Sequence, residues 1–247
     1  MTATSTRPNL AGPADAPAPS PDGDGSTGPP PSPRVAGAVL LGGFALMATG
    51  ALVGEASGAD LFGALESVDA ATVGGHLADV EGARTALTAN LSLWIAGVPM
   101  IALGVALAAR FGRRSAGAVA RTATTMGAAA AVVFYSLMMG VVRGLAPAHV
   151  AGEDVIATTK AVGWGAATAD WVATFLVLGL GLVALVRAGR ETWAPGWLVR
   201  FGDVTAVVAV VEVLALLTGA RPLAFVLVPV GMALLAATGI VLVRQPH

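Results

Sequence analysis

The sequence predicts an all-α protein, a polytopic transmembrane bundle of about six helices with both termini in the cytoplasm. Of its 247 residues, 55% are hydrophobic and only 12% are charged, and the mean hydropathy is +0.77. A soluble domain carries about 25% charged residues. The apolar residues also fall into separate runs of about twenty, the length that crosses the hydrocarbon core of a bilayer. The lipid bilayer is therefore the expected solvent and partner.

Charge and cysteine content exclude several classes of function. The formal net charge is -1, which gives no field that would attract nucleic acid, so no nucleic-acid partner is expected. Cysteine is absent, which excludes disulfides and thiolate chemistry. No Walker loop, HExxH helix or nucleophile elbow is present. We therefore expect no cofactor and favour a protein that is not an enzyme.

The first two predicted elements are a disordered tail and a membrane-spanning helix. Residues 1–34 are rich in Pro, Ser, Thr and Gly, a composition typical of a disordered segment, here a cytoplasmic tail. The first span is expected at about 35–54. Gly50 and Gly54 stand in GxxxG spacing within it, and ordinary close packing against another helix is favoured over a specific dimer contact.

An acidic outer loop is predicted over 55–89, the longest polar stretch between spans. Within it, Val73, Leu77, Val80 and Leu87 have partly helical spacing. This pattern indicates a short amphipathic helix that lies at the membrane surface and leads into the second span.

The remaining spans are expected at about 91–109, 118–142, 162–186, 201–218 and 223–243. Trp164 and Trp171 are predicted at the headgroup boundary, and the segment with Trp193, Pro195 and Trp197 at the surface, because tryptophan favours the membrane interface.

The distribution of basic residues predicts the orientation. Basic residues near span ends resist translocation and stay inside the cell. With a cytoplasmic N-terminus, ten basic residues lie inside and four outside. The inside set is Arg7, Arg34, Arg110, Arg113, Arg114, Arg121, Arg187, Arg190, Arg200 and Arg244, and the outside set is Arg84, Arg143, Lys160 and Arg221. The protein is thus expected in the cell (cytoplasmic) membrane with its N-terminus inside.

Two carboxylates within predicted spans are the main candidates for a functional site. Asp170 lies in the fourth span and Glu212 in the fifth, at similar predicted depths. An acid within the membrane usually faces the bundle interior, a partner or a water-filled cavity. The two could therefore share one pocket in the outer half of the membrane, an arrangement suited to proton exchange.

Neighbouring polar residues complete this candidate site. Thr174 follows Asp170 by one helical turn, and Tyr135 and Ser136 of the third span are expected at a comparable depth. The alternative that we favour is structural: each acid pairs with Arg143 or Arg221 near the outer ends, or stays neutral by bonding to backbone or hydroxyl groups.

A metal site is not expected. His76, Asp79 and Glu81 could place two or three ligands together, but a zinc site needs three or four that converge, and His149 and His247 lack a matching spacing. A solvated polar helix face explains these residues better.

Two segments carry a resemblance to a known family. The stretches "GGHLADVEGARTALTANLSLWIAGVPMIALGVAL" and "WAPGWLVRFGDVTAVVAVVEVLAL" resemble the DUF4386-type family of bacterial multi-span membrane proteins. The resemblance extends from Gly74 to the C-terminus and depends on Trp193, Pro195 and Trp197 together with hydropathy. It implies the multi-span architecture and assigns no activity.

The expected function is a non-enzymatic envelope component that binds a membrane-protein partner, a second copy, a lipid or a small ligand. Two alternatives stay open. One is a small proton-coupled transporter that uses Asp170 and Glu212. The other is an intramembrane enzyme that modifies lipid, for which Tyr135, Ser136 and Thr174 are the nearby candidate groups.

Overall fold

The computed structural model describes residues 32–62, 69–218 and 226–245. Its helices are α1 (Pro33–Ala56), α2 (Ala70–Gly82), α3 (Arg84–Ala108), α4 (Arg114–Gly140), α5 (Ala146–Val150), α6 (Ile156–Thr174), α7 (Leu182–Ala188), α8 (Gly196–Thr218) and α9 (Leu227–Val243). A 3₁₀ turn, Ala109–Phe111, follows α3, and π-helical segments join α4 to α5 (Val141–Leu145) and α6 to α7 (Phe175–Gly181). These described residues contain no strand, which confirms the prediction of an all-α bundle.

Within the described part of the chain, five helical segments are long and apolar enough to cross a membrane: Pro33–Ala56, Arg84–Phe111, Arg114–Val150, Ile156–Ala188 and Gly196–Thr218. The sixth predicted span corresponds to α9, a shorter apolar helix of 17 residues. Of the predicted tail, 1–34, only the last three residues are among those described. Helix α1 begins within it, at Pro33.

The predicted acidic loop, 55–89, contains the helix α2, as the spacing of its apolar residues indicates. Val73, Leu77 and Val80 are fully buried on one face of α2. Helix α3 then begins at Arg84, earlier than the apolar run that predicts a span from 91. The reason is that Leu87 and Asn90 are already buried in the bundle, at 2% and 3% exposure.

Glycines allow α1 and α3 to pack closely. A Cβ atom added to Gly43 would lie 2.7 Å from Ile101 Cγ1 and 2.9 Å from the carbonyl oxygen of Gly97. At Gly50 it would lie 2.6 Å from the Trp94 ring, and Gly54 approaches Asn90. The GxxxG pair therefore packs against α3 of the same chain, as favoured from the sequence.

Arginines mark one end of the bundle, here termed the arginine end and defined by Arg113, Arg187 and Arg244. Arg187 pairs with Asp203 at 2.7 Å and Arg113 with Glu191 at 3.5 Å. The opposite end, with Glu55, Asp60 and Glu153, is termed the acidic end.

Trp193 lies in the connection before α8. The sequence predicts it at the surface, and that prediction is wrong. Trp193 is buried, at 5% exposure, and packs against Gly189, whereas Trp197 is exposed. The Trp193 carbonyl accepts a hydrogen bond from the Gln245 side chain. Trp193 therefore holds the connection before α8 against the chain that follows α9.

The buried apolar residues form two clusters along the bundle. The cluster toward the arginine end includes Leu40, Val105 and Leu182. The cluster toward the acidic end includes Leu77 and Phe134, with other residues of α2, α3, α4 and α6. The candidate site lies where these two clusters meet, because its walls contain residues of both.

Candidate functional site

A cavity of about 480 Å³ lies within the bundle. Its described walls come from α1, α3, α4, α6, α9, the π-helical segment after α6, and the chain that follows α1. Small-molecule sites in proteins occupy about 300 to 1,000 Å³ and are mostly apolar with a few polar groups. The cavity has the size and composition of such a site.

Aromatic rings make up much of the wall. Phe134 and Tyr135 of α4 stack at a tilt, with ring centroids 5.0 Å apart. Trp94 of α3 lies 5.1 Å from the Tyr135 ring, and Phe62 lies 6.1 Å from the Phe134 ring. Trp171 of α6 is the fifth aromatic side chain among the described lining residues. These contacts orient the rings around the cavity, because tilted and offset pairs are the favoured aromatic geometries.

The charged side chains among the described wall residues are acidic. The described lining residues include Asp60 and Asp170, the hydroxyl-bearing Tyr135 and Thr174, and no Lys, Arg or His. The indole N–H of Trp94 donates to the carbonyl oxygen of Met47 at 2.9 Å. The Trp94 ring is thus held in place and its N–H is already used.

Three predicted site residues do come together. Asp170 and Thr174 lie one turn apart on α6, and both line the cavity together with Tyr135 from α4. Tyr135 is nearly fully buried, and the Asp170 carboxylate is close enough to interact with it electrostatically. The grouping of Asp170, Thr174 and Tyr135 therefore agrees with the prediction from helical spacing and depth.

Glu212 does not join them, contrary to the expectation that the two acids share a pocket. Its side chain is buried at 3% exposure, outside the cavity wall. Its Oε2 atom accepts a hydrogen bond of 2.7 Å from the backbone N–H of Leu227. The first N–H groups of a helix have no partner within the helix and carry partial positive charge. Glu212 therefore caps α9.

The depth at which α9 begins explains this bond. Leu227 is level with Glu212 rather than with the end of α8 and is itself buried, at 1% exposure. A helix start at such a place lacks water to satisfy its N–H groups. Pro229 lies in the first turn of α9, where its missing N–H removes one such donor. The sequence pattern gave no sign of this depth.

Ser136 and Arg143 are exposed and stand apart from the cavity. Arg143 lies in the π-helical segment after α4. Arg221, the other expected partner of the acids, is outside the described residues. Among the described residues, the partner of Glu212 is the backbone N–H of Leu227 and not Arg143.

A second cavity, of about 420 Å³, adjoins the first toward the acidic end. Asp60, Phe62 and Trp94 line both cavities. Glu55 and Asn90 lie in the wall of the second, and the Asn90 amide is fixed by a bond of 2.6 Å to the Gly50 carbonyl. The two cavities are therefore neighbours, with Phe62 at their common wall.

A π-helical segment begins directly after Thr174 and contributes Val177 and Leu178 to the wall. Such segments are rare and occur frequently at functional sites, since they widen a helix and turn side chains to new directions. Its position beside Asp170 supports the cavity as the functional region.

The sequence analysis missed Asp60, Phe62 and Trp94 and placed Trp171 at the headgroup boundary. Trp171 directly follows Asp170, and an aromatic next to an intramembrane acid was the available signal. Asp60 and Phe62 gave no signal, because their place depends on how the chain turns after α1.

Among the residues that the structure describes, no group of three or more His, Asp or Glu could hold a metal ion. Comparison with known protein families, curated proteins and solved structures finds no match to this chain. The resemblance to the DUF4386-type family stays a prediction.

Proposed function

We propose that the protein is a non-enzymatic integral protein of the cell membrane that binds a small amphipathic ligand in the aromatic-lined cavity. The observation that supports this most strongly is the cavity itself, whose described lining residues include five aromatic rings and two carboxylates. Cores of proteins are close-packed, and voids larger than a water molecule are few. A cavity of ligand size with rigid aromatic walls is therefore best explained by an occupant.

The wall also favours an amphipathic occupant over a fully polar one. Met47, Ile101 and Leu178 cover the side toward the arginine end with apolar surface, whereas Asp60 lies toward the acidic end. A ligand gains from burial of its apolar part and keeps its polar part near the carboxylates. Membrane lipids and small hydrophobic metabolites are the classes of ligand with this form.

The proposed orientation places the N-terminus and the arginine end in the cytoplasm. It is supported by the excess of arginine near Arg113 and Arg187 and by the acids Glu55 and Asp60 at the opposite end. In this orientation the second cavity faces outward, and the ligand enters from the outer leaflet or from outside the cell.

The test is photo-crosslinking in nanodiscs of zwitterionic lipid. The probe is an uncharged monoacylglycerol that carries a diazirine on a short acyl chain. We expect saturable labelling of peptides that contain Phe134 and Trp171. Ala131→Phe fills the cavity, since Ala131 lines it and is 3% exposed. This variant should lose the saturable labelling.

Ala129→Phe is the matched control, because Ala129 lies on the same helix and is exposed. It should be labelled like the unmodified protein. Labelling that does not saturate, or that is equal in both variants, would show that the probe reports only lipid contact and would overturn the proposal.

A proton-coupled transporter is the second candidate. Asp170 in the cavity wall favours it, and the position of Glu212 as a cap of α9 weighs against the version with two titrating acids. Proteoliposomes separate the candidates: a transporter moves protons with its ligand, and Asp170→Asn abolishes that movement, whereas a binding protein moves none.

A further inference from the structure

We propose that the arginine end binds an anionic phospholipid of its own leaflet through the phosphates of the lipid headgroup. The binding residues are four exposed arginines, here termed the headgroup arginines: Arg110, Arg114, Arg121 and Arg190. This lipid site is separate from the cavity and from the ligand proposed for it. Three features support it: the gathering of positive charge, the fixed arrangement of the chain that carries the charge, and its depth in the membrane.

Arginines gather where two connections of the bundle meet. The backbone N–H of Arg113, just before α4, donates a hydrogen bond of 2.9 Å to the carbonyl oxygen of Ala188, where α7 ends. Further arginines lie within three residues of this bond along the chain: Arg110, Arg114, Arg187 and Arg190. The bond therefore brings the charges of both connections to one place.

Acidic side chains neutralise only part of this charge. Arg113 pairs with Glu191 at 3.5 Å and Arg187 with Asp203 at 2.7 Å. The headgroup arginines are exposed, and none of them pairs with a carboxylate among the described residues. Their guanidinium groups are thus available to a phosphate, which arginine binds through two parallel N–H bonds.

The excess of positive charge holds even when residues 1–31 are included. The ten arginines predicted inside are matched there by five acidic side chains: Asp15, Asp22, Asp24, Glu191 and Asp203. If every one of these acids paired with an arginine, half of the arginines would still have no acidic partner. This remaining charge favours an anionic leaflet, because arginine close to a membrane surface attracts anionic lipid.

The connections that carry the arginines are held in a fixed arrangement. The Thr192 hydroxyl donates a hydrogen bond of 2.8 Å to the carbonyl oxygen of Phe111. A Cβ atom added to Gly112 would lie 2.7 Å from the carbonyl oxygen of Ala188, so the two connections are in close contact. A lipid that binds here has little backbone to order, which lowers the cost of binding.

The length of the uncharged part of α4 places Arg121 at the level of the headgroups. Residues 122–142 carry no charged side chain. At 1.5 Å per residue they span about 32 Å, close to the hydrocarbon thickness of about 30 Å. Arg114 lies on the same face of α4, two turns and about 10 Å farther from the hydrocarbon. The two guanidinium groups therefore bracket the depth at which lipid phosphates lie.

Apolar surface beside these charges favours a lipid over a soluble anion. Met126 and Val133 are exposed farther along α4, at 59% and 54%, and offer a surface for acyl chains. Trp197, exposed in the first turn of α8, is of the type that lies at the headgroup boundary. A phospholipid can contact the apolar surface and the arginines at once, whereas free phosphate can use only the charges.

The test compares two lipids with equal acyl chains, dioleoyl phosphatidylglycerol and dioleoyl phosphatidylcholine. The purified full chain in an uncharged maltoside detergent is titrated with each, and native mass spectrometry gives the Kd. We expect the anionic lipid to bind at least tenfold more tightly, and this preference to fall as salt is raised. Arg114→Gln and Arg121→Gln should each weaken the anionic lipid about fivefold and leave the zwitterionic lipid unchanged.

Three control variants complete the design. The double variant Arg187→Gln with Asp203→Asn removes an ion pair of the same end without changing its net charge, and should keep the preference. Ala131→Phe fills the cavity and should also keep it. A triple variant, Asp15→Asn with Asp22→Asn and Asp24→Asn, removes the acids of residues 1–31 and should change the preference by less than about threefold.

Each contrary outcome overturns the lipid site for a different reason. Equal affinity for both lipids, or a preference unchanged in Arg114→Gln and Arg121→Gln, would show that these arginines do not bind the headgroup. A preference seen only in the triple variant would show that the acids of residues 1–31 cover the arginines instead. A preference lost in Ala131→Phe would place the anionic lipid in the cavity, which would support the proposed function and overturn this site.

Discussion

The carboxylate of Glu212 in α8 accepts a hydrogen bond from the backbone N–H of Leu227, 2.7 Å away, where α9 begins. This bond satisfies two groups that are costly to leave alone in an apolar environment, a buried acid and a free helix N–H. Glu212 is therefore a structural residue in this bundle.

Glu212→Ala should destabilise the protein, because the N–H of Leu227 loses its buried acceptor. The expected loss in the free energy of unfolding is about 1 to 3 kcal/mol. Glu212→Gln keeps a carbonyl acceptor and should cost less. Steric trapping in bicelles measures both values. Glu191→Ala removes an exposed acid that pairs with Arg113 and serves as the control. A Glu212→Ala variant as stable as this control would contradict the capping role.

The close contact of α1 and α3 gives the next prediction. Gly43→Ala places a Cβ atom 2.9 Å from the Gly97 carbonyl oxygen. This oxygen belongs to the backbone of α3, so relieving the clash requires a shift of the helix. We expect a loss of about 1 to 3 kcal/mol, typical of overpacking. Gly165→Ala in α6 is the matched control, since nothing lies within 4 Å of its added Cβ. It should leave stability unchanged or raise it by about 0.5 to 1 kcal/mol. Equal thermal stability of the two variants would refute close packing at Gly43.

The start of α2 should depend on pH through Asp69. The side-chain hydrogen bond from Thr72, with that from its backbone N–H, lowers the pKa of Asp69. A lowered folded pKa means that this stabilisation is complete above the unfolded pKa of about 3.9 and is lost as pH falls through the folded value. Exchange of the amide hydrogens at Ala71 to Val73, corrected for intrinsic rates, should therefore be slow at neutral pH and faster in acid. Asp69→Ala should show fast exchange at both, and Asp69→Ser should restore protection because serine also caps helices.

The proposed orientation is testable with single cysteines, since the natural chain has none. Glu153→Cys lies at the acidic end and Glu191→Cys at the arginine end, and neither glutamate lines a cavity. A membrane-impermeant maleimide should label the first in intact cells and the second only after permeabilisation, as the distribution of arginine predicts. The reverse pattern would invert the proposed orientation.

Hydropathy was sufficient to predict the helical bundle, because each run of apolar residues is by itself long enough to indicate a membrane-spanning helix. The grouping of Asp170, Tyr135 and Thr174 at one cavity could also be predicted, since helical spacing sets relative depth. The cavity itself was not, because whether rings meet depends on how α3, α4 and α6 rotate about their axes. Glu212 was misplaced for a related reason: its partner is a backbone group whose depth depends on where α9 starts.

The bond between Glu212 and Leu227 also bears on how the protein is made. During insertion, Glu212 raises the cost of placing α8 alone in the bilayer, and the uncapped start of α9 raises the cost of placing α9 alone. Both costs fall when the two helices meet. We therefore expect α8 and α9 to enter the membrane most favourably as a pair, so that insertion of the C-terminal part is cooperative and follows synthesis of α9.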